Sequence, residues 1–126
     1  MVFNKTPIKI IDNVTVTASG YATSSGIDLG AAYDFCIGYQ LTFNAAATLG
    51  AEIRAYADPT GNTQDFTINT YNNYYDLGTI NVNAGNTVEG VLILQRSPRY
   101  IKIRVYNLDT NQTITACNLW SQIQAP

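Results

Sequence analysis

Apolar and polar residues alternate with a period of two through most of this chain. "NVTVTAS" sets Val14 and Val16 against Thr15 and Thr17, and "DFCIGYQLTF" sets Phe35, Ile37, Tyr39, Leu41 and Phe43 against Cys36, Gly38, Gln40 and Thr42. "GAEIRAYA", "DFTINTY", "GTINVN", "TVEGVLILQ", "RYIKIRVYN" and "QTITACNLW" continue the series. Successive strand side chains point to opposite faces, so this period, in segments rich in Val, Ile, Thr, Tyr and Phe, predicts half-buried strands. "VLIL" is apolar on both sides and predicts a central strand covered on both faces. Turn clusters separate the runs: "ASGYATSSG", "DPTGN", "YNNYYD", "NAGN", "RSPR" and "NLDTN". Strands of this length, so punctuated, give an all-β fold: an antiparallel two-sheet sandwich, jelly-roll-like. The chain reads as a single domain, 1–126. Residues 1–8 read as an N-terminal arm, because Pro7 interrupts any ladder there.

Only 13% of the 126 residues are charged, and the formal net charge is −2. No global field favours nucleic acid or an anionic membrane. No apolar run approaches the roughly 20 residues needed to cross a bilayer. The opening "MVFNKTPIKI" lacks the apolar core and cleavage site of a signal peptide, so a soluble product of a cytoplasm is expected. On that expectation the N-x-Thr sequons at Asn4, Asn13 and Asn111 are chance matches. Cys36 and Cys117 each sit in an apolar strand-like run. They read as two buried small hydrophobes or, alternatively, as a disulfide between paired strands.

Histidine is absent. That removes the commonest general base, the Ser-His and Cys-His nucleophiles and the usual zinc ligand. No phosphate-binding glycine loop is present. Two carboxylates can hydrolyse a glycoside, but the nine acids are scattered and most lie in turns. "ADPTGNTQD" offers Asp58, Asn62 and Asp65 as oxygen donors, yet the spacing is not that of an EF-hand, and a Pro59–Gly61 turn explains it more simply. No catalytic, cofactor-binding or metal-ligating residue is assigned.

Two surfaces remain. "NTYNNYYDLG" clusters Tyr71, Tyr74 and Tyr75 among amides, the composition of an adhesive protein surface, a sugar-binding loop or an ordinary sandwich edge. "SPRYIKIRVYN" places Tyr100, Lys102, Arg104 and Tyr106 on one side of a strand and Ile101, Ile103 and Val105 on the other. The basic, aromatic side faces water, an acidic protein neighbour, or a cross-strand acid such as Glu52 or Glu89. The acidic remainder of the chain argues against single-stranded nucleic acid.

"DNVTVTASGYATSSGIDLGAAYDFCIGYQLTF", with the late "SPRYIKIRVYN" and "QTITACNLW", resembles small β-sandwich virion proteins of tailed bacteriophages. The resemblance lies in an alternating Val/Thr strand, a short "IDL" strand, a long strand starting at an aromatic, and a Thr-rich closing strand. It implies a non-enzymatic head decoration (cement) protein, made in the host cytoplasm and located on the capsid surface. The implied partners are the major capsid protein and further copies of the chain, as a homo-oligomer such as a trimer. Contacts would fall on Val2 and Phe3 of the arm, on Tyr71, Tyr74 and Tyr75, and on Tyr100, Lys102, Arg104 and Tyr106. The residues also support an alternative, a carbohydrate-binding β-sandwich module that uses the three clustered tyrosines.

Overall fold

The computed structural model describes residues 2–3, 7–30, 34–58, 60–61, 63–69, 74–95 and 99–125. Its strands are β1 (Val2–Phe3), β2 (Ile8–Val16), β3 (Tyr21–Thr23), β4 (Ile27–Asp28), β5 (Asp34–Phe43), β6 (Ala51–Ala57), β7 (Tyr74–Ile80), β8 (Thr87–Gln95), β9 (Tyr100–Asn107) and β10 (Ile114–Ala125). They form two antiparallel sheets. In the first, β5 lies between β8 and β10, and the far side of β10 is taken by β2 and, at its end, by β1. In the second, β9 lies between β6 and the short β3 and β4, while β7 closes the other edge. The chain changes sheet after β2, β4, β5, β7, β8 and β9, which makes the two-sheet sandwich a jelly roll.

The two-residue period builds the core directly. Phe35, Ile37 and Leu41 of β5 are fully buried, as are Ile53 of β6, Ile101, Ile103 and Val105 of β9, and Ile114, Cys117 and Leu119 of β10. These side chains meet between the sheets. Each large one removed from water contributes about 1.5–3 kcal/mol. β7 breaks the rhythm once. Ile53 pairs with Gly78 and Arg54 with Asp76, so Leu77 forms a bulge. Gly78 has a φ of 148°, a conformation that residues with a Cβ avoid. The bulge turns Leu77 against the core and leaves Tyr74 and Asp76 on the outer face.

Two expectations change, and the cysteines follow the first of their two readings. "VLIL" does not form a central strand: among the described residues β8 pairs with β5 alone, at the sheet edge. Leu92 packs against the core, whereas Val91 and Ile93 point outward and are 64% and 65% exposed. The arm is not free. Val2 and Phe3 pair with Ala125 and Gln124 of the chain's own β10, and a strand begins at Ile8. The cysteines are both buried and unbridged. Cys117 lies across from Leu41 and faces the core, while Cys36 lies across from Gln122 on the outer face, so the two thiols are on opposite sides of one sheet. Burial pushes the Cys117 thiol up to about 12.

Candidate functional site

The outer face of the second sheet carries a cleft of about 440 Å³. Register creates it. β3, β9, β6 and β7 lie side by side, so Thr23, Arg104, Arg54 and Asp76 form one row across the face. Tyr21, Tyr106 and Glu52 form the row on one side, and Lys102, Tyr56 and Tyr74 the row on the other. Ile68 and Asn69, from the segment after β6, complete the wall.

Arg54 and Arg104 are direct cross-strand neighbours, a pairing of like charges that costs stability unless something offsets it. Aromatic rings and one acid do so. The Arg54 guanidinium carbon lies 4.2 Å from the Tyr74 ring centre and 4.4 Å from that of Tyr106. Its Nε and a terminal nitrogen donate to the two Glu52 carboxylate oxygens at 2.8 and 3.2 Å. The Arg104 carbon lies 4.0 Å from the Tyr21 ring centre and 5.5 Å from that of Tyr56. Contacts of this kind contribute about 0.5–2 kcal/mol each, more as water is excluded. Four phenols and two guanidiniums thus hold one another in fixed positions.

The phenols are polarised. The Tyr56 and Tyr106 oxygens are 2.7 Å apart, and Arg104 donates to the Tyr106 oxygen at 3.3 Å. Burial pushes the Tyr106 phenol up, but the hydrogen bonds from Tyr56 and Arg104 and the nearby guanidinium charges outweigh it, leaving its pKa below the ordinary tyrosine value. Burial and the bond to Tyr106 push Tyr56 the other way. Each phenol oxygen also accepts from a guanidinium, Tyr56 from Arg54 at 3.5 Å and Tyr106 from Arg104, and either phenol can donate to the other.

The outward assignment of Tyr100, Lys102, Arg104 and Tyr106 agrees with the alternating burial of β9. Only Arg104 and Tyr106 of these line the cleft. Lys102 is engaged within the chain. Its side chain is 14% exposed, pairs with Asp65 at 2.9 Å and lies 5.6 Å from the centre of the buried Phe66 ring. The segment after Asp58 folds across it. A Cβ at Gly26 would run into the Gln64 carbonyl, so that crossing needs glycine. Neither suggested acid forms an ion pair with a described cation of β9, although Glu52 lies across from Tyr106. Glu52 binds Arg54 on its own strand, and Glu89 sits on the other sheet beside Gln40, 2.8 Å away.

The tyrosine cluster divides. Tyr74 enters the cleft, where its ring lies 5.3 Å from that of Tyr56. Tyr75, the next residue in the strand, pairs across from the core residue Ala55 and is directed away from the cleft. Tyr71 lies outside the described residues, as do the side chains of Val2 and Phe3. The Asp58 loop is a turn, as expected. Asp58 accepts from the Thr60 and Thr63 backbone N–H groups at 3.2 and 2.7 Å and from the Thr60 hydroxyl. Among the described residues no group of three or more His, Cys, Asp or Glu side chains is placed to hold a metal ion.

Sequence reasoning missed Tyr21, Arg54 and Tyr56, which the register brings beside β9. The basic–x–aromatic pattern that "RAYA" shares with "RVYN" is a signal that could have found Arg54 and Tyr56; Tyr21 has none. That reasoning also missed a second surface, on the outer face of the first sheet. There Gly38 lies between Val91 and Trp120 and floors two adjoining recesses of about 210 and 420 Å³. Gln40, Glu89 and Gln122 rim them, and Lys9 approaches the Trp120 ring at 5.2 Å.

No protein-family profile matches the chain, and no curated protein sequence does. Among solved structures the chain is similar to the C-terminal CBM6 of a laminarinase from Zobellia galactanivorans, with 14% identity and a TM-score of 0.46 over 99% of this chain and 92% of that one. It is similar to a CBM4 structure, with 8% identity and a TM-score of 0.44 over 91% and 78% of the two chains. A GH115 4-O-methyl-α-glucuronidase matches at 8% identity and a TM-score of 0.45, over 97% of this chain but 16% of that one. At such distances, function has to be read from the side chains themselves.

Proposed function

We propose that the chain is a non-catalytic glycan-binding module whose ligand lies in the Tyr/Arg cleft. The observation that carries this is the fixed array of Tyr21, Tyr56, Tyr74 and Tyr106 around two guanidiniums in a cleft of about 440 Å³. Ring faces cover the apolar C–H side of a sugar, while phenol and guanidinium donors satisfy its hydroxyls. The donors are held before binding, so little side-chain entropy is lost when a ligand arrives. The acids whose side chains are described are otherwise engaged: Asp58, Asp76 and Asp109 accept backbone N–H groups, Glu89 accepts from Gln40, and Asp12, Asp28, Glu52 and Asp65 pair with cations. This favours binding over hydrolysis. A glycan array is the test. Binding to at least one oligosaccharide is expected, weakened about tenfold or more by Tyr74→Ala. Retention of full binding by Tyr74→Ala, or no binding at all, would remove the reading.

A second reading, the phage head decoration protein that the sequence resembles, is favoured by the other face. Val91 and Ile93, 64% and 65% exposed beside the Trp120 recess, form the kind of apolar surface that marks a protein contact. In that role the first-sheet face docks on a capsid subunit or on a second copy. The module then sits on the virion surface with its cleft outward. Sedimentation as a monomer, together with no binding to phage heads, would remove this second reading.

A further inference from the structure

Resting on the glycan reading, we infer that the ligand of the cleft carries a carboxylate, as an acidic sugar does, and that Arg104 receives it. Among the described residues four of the five cationic side chains form ion pairs. Lys9 pairs with Asp12, Arg54 with Glu52, Arg99 with Asp28 and Lys102 with Asp65. Arg104 is the one described cation with no carboxylate within ion-pair distance; its Nε donates to the Thr23 hydroxyl at 3.0 Å and one terminal nitrogen to Tyr106 at 3.3 Å.

Ring contacts and hydrogen bonds hold Arg104 in place but do not neutralise it. A cation is held directly across from a second guanidinium, and only that second one is neutralised. Tyr21 braces Arg104 from one side at 4.0 Å, so the guanidinium plane is fixed before any ligand binds. Its remaining donors border a cleft in which Tyr21 and Tyr74 are 54% and 44% exposed. A planar, oriented guanidinium with spare N–H groups matches a carboxylate. Asp76, beyond Arg54 in the same row, accepts from the Gly78 N–H at 3.0 Å and forms no ion pair with Arg104, whose guanidinium is left to meet a carboxylate on the ligand. A neutral sugar would leave that charge uncompensated.

The probe is an oligogalacturonate, compared with its methyl ester, which keeps the ring and hydroxyls and removes the charge. Calorimetric titration at low salt is expected to show the acid binding about tenfold or more tightly than the ester, a preference that falls as salt rises. Arg104→Gln should abolish the preference, and Arg104→Lys should retain part of it. Circular dichroism confirms that each variant folds, and the wild-type acid-to-ester ratio tests the inference without them. Equal binding of acid and ester overturns the inference and leaves the glycan reading standing. Binding of neither form, with other neutral glycans still bound on the array, does the same. Binding of no glycan removes both. Displacement of the oligomer by sodium sulfate at concentrations comparable to its own overturns the acidic-sugar assignment in favour of a bare oxyanion site.

Discussion

Asp109 shows how one residue ties the loops at an end of the sandwich. It is 2% exposed. One carboxylate oxygen accepts from the Thr48 and Leu49 N–H groups at 2.8 and 3.3 Å, and the other from Asn111 and Gln112 at 2.9 and 3.0 Å. The Thr48 and Asn111 bonds, with the rest, outweigh burial and hold its pKa at about 2. A carboxyl depressed in the folded state stabilises it above the unfolded pKa of about 3.9, and that contribution disappears as pH falls toward 2. The melting temperature should therefore be insensitive to Asp109 above about pH 5 and fall between about pH 4 and 2. In Asp109→Asn the folded protein should melt lower at neutral pH and lose part of that acid dependence. Parallel curves for the two proteins over that acid range would contradict the assignment.

At the scale of the strand, β9 divides its labour by alternation. Ile103 is fully buried among residues of both sheets, so Ile103→Ala should cost about 2–5 kcal/mol in chemical denaturation. A cost within about 0.5 kcal/mol would put Ile103 at the surface. β8 behaves differently, because its outer half lines a recess instead of a second layer. Val91→Lys with Ile93→Lys should leave denaturation nearly unchanged and abolish any self-association seen by sedimentation; a large loss of stability would mean that those side chains are covered. This is also where sequence stops being sufficient. The period of two was legible in β5, β6 and β9, and so was the core, since burial follows parity along a strand. Which strands are neighbours was not. "VLIL" looks the same whether its outer residues meet a layer or an open recess. The cleft was half legible for the same reason: Arg104, Tyr106 and Tyr74 stood out, but Tyr21, Arg54 and Tyr56 joined them only through the pairing of β3, β9 and β6. The bulge at Leu77 is a local event in β7 that the alternation did not signal, whereas the separation of the adjacent Tyr74 and Tyr75 follows from the period of two.

At the scale of the molecule, the jelly roll turns one repeated pattern into two unlike surfaces around a shared core. The first sheet presents Trp120, Val91 and Ile93 around Gly38. The second presents a charged aromatic cleft with one cation, Arg104, that has no ion-pair partner among the described residues. A binding module that is anchored by one face and recognises a ligand with the other uses both. The central claim is that the cleft is the ligand site, and chemical-shift mapping of isotope-labelled protein against an oligosaccharide panel tests it most directly. A bound glycan should shift resonances of β3, β6, β7 and β9 around Tyr21, Arg54, Tyr74 and Arg104, and Tyr74→Ala should suppress those shifts. Shifts gathered instead around Gly38, Val91 and Trp120, or none with any glycan, would contradict it.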